Sequence, residues 1–160
     1  MFKYLLTTCI IAFGGFGALA QSITVGQLVK ELGAPFNTVT AHLQARGFNI
    51  SGSGQLNNAA TIRFQKKLGD GIENVAIFAG DTARKIPAGI TFTYNKKSYT
   101  NGLIGDMKRT GFALKRTINE PKRTIAIYQD AKYEAGITTY HDANAYTSVT
   151  VRPRTDHPER

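Results

Sequence analysis

Cationic pairs are the residues in this chain whose type and spacing point most directly to chemistry. Lys108-Arg109, Lys115-Arg116 and Lys122-Arg123 recur every seven residues. Cations gathered in this way neutralise anionic partners. Tyr94 and Tyr99, close to Lys96 and Lys97, add rings that stack on a polymer while the cations hold its charge. The simpler alternative is the solvated surface of a basic protein.

Catalytic candidates are few. His42, His141 and His157 follow the first twenty residues. His42 stands next to Leu43 in a helical pattern and reads as a hydrogen-bonded helix residue. His157 falls in a polar tail. His141-Asp142 sets a carboxylate beside an imidazole, which suits a hydrolase, although turn chemistry explains Asp142 and Asn144 equally well. Ser53 lies between glycines but lacks the strand-to-helix elbow that exposes a nucleophile. Asp70, Glu73, Asp81, Asp106, Glu120, Asp130 and Glu134 are scattered singly, so spacing selects no acid–base pair. Gly69-Asp70-Gly71 lacks the liganding repeats of a calcium loop. The single cysteine, Cys9, rules out a structural thiolate cluster. No metal and no cofactor is expected from these residues.

The elements that would position such groups follow from periodicity. Thr24 with Gln27 forms a capping-box pattern ahead of Val25, Leu28, Val29 and Leu32, which share one helical face. Gly33 and Pro35 stop that helix. A second helix is predicted from a cap at Asn37 to Gly47, and a third from a cap at Asn101 to Gly111. Ser51-Gly52-Ser53-Gly54 reads as a turn. Strands are predicted after Phe48, over 61–65, 75–78 and 90–94, and then over 112–118, 124–128, 137–140 and 148–151, from period-two alternation. Short connections predict antiparallel pairing.

The predicted architecture is therefore α+β, with helices on one face of the sheet. Its order is α-α-β4 and then α-β4, a tandem arrangement with halves of about 21–97 and 98–152. The pairs Asn37/Asn101, Val39/Leu103, Leu43/Met107, Gly47/Gly111 and Phe48/Phe112 all stand 64 residues apart (101 − 37). Residues 153–160 read as a loose tail.

The first twenty residues read as an export signal. Lys3 is followed by an apolar run from Tyr4 to Phe16 and a small-x-small site at Ala18-Leu19-Ala20. The run is too short and too rich in glycine for a membrane span. The address predicted is periplasmic or extracellular. The whole chain carries 20 basic and 11 acidic side chains for a net +9, and loss of Lys3 leaves +8. These readings converge on a non-enzymatic binding module that docks an acidic protein or an anionic envelope polymer, through a sheet face or the basic patch. Nucleic acid is not an expected partner at that address. Two alternatives are a hydrolase built on His141 and an assembly subunit that pairs through a strand edge at Thr147–Arg152.

Overall fold

The computed structural model describes residues 23–56, 59–69, 71–80, 88–95, 98–142 and 146–155. The first twenty residues, with Cys9, and Asp70, Asp81, Lys96, Lys97, Asn144 and His157 lie outside the described residues.

Helix α1 (Val25–Leu32) starts at the expected capping box. The Gln27 amide donates to Thr24 Oγ1 at 3.2 Å, and the Thr24 amide donates to Gln27 Oε1 at 2.8 Å. Two otherwise orphaned amides are thereby satisfied. Helix α2 (Phe36–Ala45) starts differently from the expectation. Pro35 is its cap residue, and no side chain caps it. Asn37 lies inside the first turn, because proline already supplies the φ a helix entry needs and has no amide to satisfy. Helix α3 (Ser98–Arg109) likewise begins three residues ahead of Asn101.

The helix ends obey the glycine rule. Gly47 and Gly111 have φ of 84° and 88°. The Phe48 amide donates to the Leu43 carbonyl at 3.0 Å, and the Phe112 amide to the Met107 carbonyl at 2.9 Å. These are six-to-one bonds of the left-handed helix stop, which turns each chain sharply into a strand.

Eight strands follow: β1 (Asn49–Leu56), β2 (Ala59–Leu68), β3 (Gly71–Phe78), β4 (Gly89–Tyr94), β5 (Ala113–Glu120), β6 (Arg123–Gln129), β7 (Tyr133–Tyr140) and β8 (Thr147–Pro153). All pair antiparallel in one sheet of order β1-β2-β3-β4-β8-β7-β6-β5. Two predicted features are corrected. Ser51–Gly54 is strand, because pairing with β2 supplies the hydrogen bonds that its weak propensity does not. Thr147–Arg152 is not an edge: it belongs to β8, which pairs with β4 on one side and β7 on the other. The edges are β1 and β5. Each carries a register shift near its start, between Ile50 and Gly52 and between Leu114 and Arg116.

The three helices pack on one face of the sheet. Val25, Leu28, Val39, Leu43, Leu103 and Met107 form a single core with Phe64, Val75, Phe92, Val149 and Ile137. The last five are register partners along one row across five strands. Each such side chain contributes about 1.5–3 kcal/mol when fully buried. Alternation sends the intervening residues to the opposite face, which no described helix covers.

Candidate functional site

The open face is built from the residues that alternate with this core. Its central row runs Arg63, Ala76, Thr91, Thr150, Gly136, Ile127 and Arg116, by direct register from β2 to β5. Small residues run from Ala76 to Gly136, Ile127 follows, and an arginine stands at each end. Strands spaced about 4.8 Å apart set these two arginines roughly 29 Å from each other. Both are exposed, and neither has an ion-pair partner among the described residues. Thr91 and Thr150 share a hydroxyl hydrogen bond of 2.9 Å across the β4–β8 seam, which ties the floor together.

The next row is Gln65, Asn74, Thr93, Ser148, Thr138, Ile125 and Ile118. Gln65 donates to Asn74 at 3.2 Å. At one end of the face, Phe78 lies across Gly89, its register partner. A Cβ at Gly89 would fall within the ring, so the aromatic takes the place of a missing side chain. At the other end Tyr140 and Tyr146 stack with centroids 4.3 Å apart. Their hydrogen bond holds the Tyr146 hydroxyl above the ordinary tyrosine range.

Two ion pairs frame the β5–β7 side. Arg123 Nε donates to Glu120 at 2.7 Å, and that bond raises the guanidinium further above its ordinary value. Arg152 donates to Glu134 at 2.6 Å. Burial works to raise the Glu134 carboxyl. The hydrogen bonds from Gln129 and Arg152, with the charges of Arg152 and Arg116, outweigh it and hold the group below the usual glutamate range.

The predicted cationic pairs do not gather into one compact patch. Lys108, Arg109, Lys115 and Arg116 lie around the junction of α3 and β5, whereas Lys122 and Arg123 stand at the far end of β5. Thr117 to Glu120 of β5, at about 3.4 Å per residue, separate Arg116 from the turn that holds Lys122. Arg109 is tied to Asp106 at 3.2 Å and Arg123 to Glu120. Lys108, Lys115, Arg116 and Lys122 form no ion pair among the described residues, although the charge of Arg116 acts on Glu134, and together they form a cationic border along the β5 edge.

The tyrosines are elsewhere. Tyr94 is 1% exposed and Tyr99 6%, and their rings pack together at 5.5 Å with Phe92 beyond. They belong to the core and present no stacking surface. Burial raises the Tyr94 hydroxyl, against the opposing hydrogen bonds of Thr100 and Thr147.

His141 is exposed, and its Nε2 lies 3.1 Å from Thr124 Oγ1. No carboxylate pairs with it among the described residues, so Asp142 does not orient the ring. His42 is hydrogen-bonded, as its helical setting suggested: Nδ1 lies 3.1 Å from both oxygens of Glu31, which also accepts from Arg46 at 3.3 Å. This trio borders an open hollow of about 390 Å³ between α1 and α2. Among the described residues, no three His, Cys, Asp or Glu side chains stand close enough to hold a metal ion. No described helix is long and apolar enough to cross a membrane.

Sequence reasoning did not find Arg63 or the open-face row. The signal lay in Thr61–Gln65: the alternation that buries Phe64 puts Arg63 on the opposite face. The register that aligns it with Arg116 depends on the strand order, which local pattern does not give. The chain matches no protein-family model, no curated protein and no solved structure.

Proposed function

We propose that this chain is an exported binding module that docks an acidic macromolecular partner on the open face of its sheet. The observation that carries the reading is the central row, small from Ala76 to Gly136, with exposed Arg63 and Arg116 at its ends, neither in an ion pair among the described residues. The small residues Ala76, Thr91, Thr150 and Gly136 leave the middle of the face, from β3 to β7, open to close approach, and two separated cations set the charge a partner must bring. Lys108, Lys115 and Lys122 extend the same sign along the β5 border. The leader with its Ala18-Leu19-Ala20 site supports a periplasmic or extracellular address for this activity.

The module reads as two copies of one helix-plus-four-strand unit joined at β4 and β8. Support comes from features that recur 64 residues apart: the left-handed glycines Gly47 and Gly111, the amide bonds of Phe48 and Phe112, and the shifts at Ile50 and Leu114. Such pairing yields a sheet wider than either unit forms alone.

Retention on anionic and neutral matrices tests the docking reading. The protein is expected to bind the anionic matrix at low salt and to leave it as salt rises. The triple variant Arg116→Glu, Lys115→Glu, Lys122→Glu is expected to elute at distinctly lower salt. Equal retention of the parent protein on both matrices overturns the reading.

A further inference from the structure

Strand β1 is an edge of unusual composition. Its eight residues, Asn49 to Leu56, include no charged residue and no proline. Exposed edges are ordinarily guarded by a charge, a proline or a bulge, because their free amides and carbonyls pair with any strand that arrives, and the bulge of β1 is confined to Ile50–Gly52. The other edge is guarded: β5 carries Lys115, Arg116 and Glu120. On β1 the stretch from Gly52 to Leu56 keeps unbroken register with Arg63 to Ala59 of β2, so its outer side offers a regular ladder of about 16 Å.

The residue that gives this edge a chemical preference is Arg63. It pairs across from Gly52, and its Nη2 lies 3.5 Å from where a Cβ of Gly54 would stand. The two glycines carry no side chains on that face, so the guanidinium lies across β1 toward the free edge. Arg63 is exposed and has no ion-pair partner among the described residues. A strand added to β1 would place an open-face side chain next to Gly54, within reach of this guanidinium. A carboxylate there makes a charge-assisted hydrogen bond, whereas a cation there is repelled.

We infer that β1 receives an extended acidic segment of the partner by strand addition, main-chain bonds supplying affinity and Arg63 selecting a carboxylate. The inference rests on the docking reading above and specifies its geometry.

The test uses the whole chain and a short peptide of alternating glutamate and valine, with the lysine–valine peptide and an alternately N-methylated glutamate–valine peptide as comparisons. Binding is followed by backbone amide shifts in β1 and by titration. The glutamate peptide is expected to bind and to shift β1 amides. The lysine peptide and the N-methylated peptide are expected to bind at least tenfold more weakly. Arg63→Glu is expected to weaken the glutamate peptide about tenfold and to reverse the preference toward lysine, while Lys132→Glu, an exposed cation in the turn between β6 and β7, leaves it within about twofold.

Undiminished binding after N-methylation overturns strand addition and leaves acidic docking standing. Loss on changing Lys115 and Arg116 but not Arg63 moves the site to β5 and also overturns it. Self-association through β1 that the glutamate peptide does not compete with would assign the edge to a second copy and overturn it. No binding by any peptide, together with equal retention on anionic and neutral matrices, removes the inference and the docking reading together.

Discussion

Glu73 is a buried carboxylate in the core. It is 2% exposed, and among the described residues neither carboxyl oxygen has a hydrogen-bond partner. A buried polar group left unsatisfied costs about 1–3 kcal/mol. Replacing it with an apolar residue of similar length removes that cost without opening a cavity. Glu73→Met is therefore expected to raise unfolding stability by about 1–3 kcal/mol, read from urea midpoints at unchanged slope. Glu134 behaves in the opposite way, because its partners favour the charged form. Its carboxyl lies below the ordinary glutamate value of 4.5 in the folded protein. The stability it contributes is present above the unfolded value and is lost as pH falls through the folded one. Glu134→Gln is expected to be less stable than the parent at neutral pH. The two denaturation curves should converge as pH drops below the glutamate range. A constant gap at all pH values would assign the effect to packing instead.

At the scale of elements, α1 is anchored by a residue from another helix. Asp106 of α3 is 7% exposed. Its Oδ2 accepts from the Val25 amide at 2.6 Å and the Gly26 amide at 3.4 Å, while Oδ1 accepts from Arg109 at 3.2 Å. The carboxylate thus supplies α1 with a second cap, 81 residues distant in sequence, at the positive end of the helix dipole. Asp106→Ala is expected to destabilise the protein by about 2 kcal/mol, with amide protection lost first in α1. An unchanged urea midpoint would show that the contact contributes nothing net.

That contact also marks the limit of what periodicity reveals. The Thr24 box and the stops at Gly47 and Gly111 are local, so each was visible in a few consecutive residues. Strand existence was legible wherever apolar residues alternated, as at Ile90–Tyr94. Asn37 misled because Pro35 had already set the helix entry. Ser51–Gly54 misled because glycine and serine signal turns, and only the partner strand β2 makes them extended. The burial of Tyr94 and Tyr99 depends on Phe92 and the packed helices. The pairing of Arg63 with Arg116 along one row depends on a strand order that joins distant segments.

For the whole molecule, strand order sets a gradient of stability. β4 and β8 have neighbours on both sides and contribute Phe92, Tyr94, Val149 and Val151 to the core. β1 and β5 each have one neighbour. Hydrogen exchange is expected to be slowest in β4 and β8 and fastest in β1 and β5. Equally slow exchange at β1 in the free protein would mean that its outer amides are already paired.

The position of β8 in the chain order carries a kinetic consequence. β8 follows every other strand in the sequence, yet it sits in the middle, where Thr147 must find Tyr94. The intervening residues have to be in hand before the two meanders can be bridged, which makes this long closure slow. A nascent chain halted before Val149 holds β4 and β7 as raw flanks, each lacking the β8 keystone that both pair with. Those flanks, rather than the finished rims, are where premature clumping of unfinished molecules would begin.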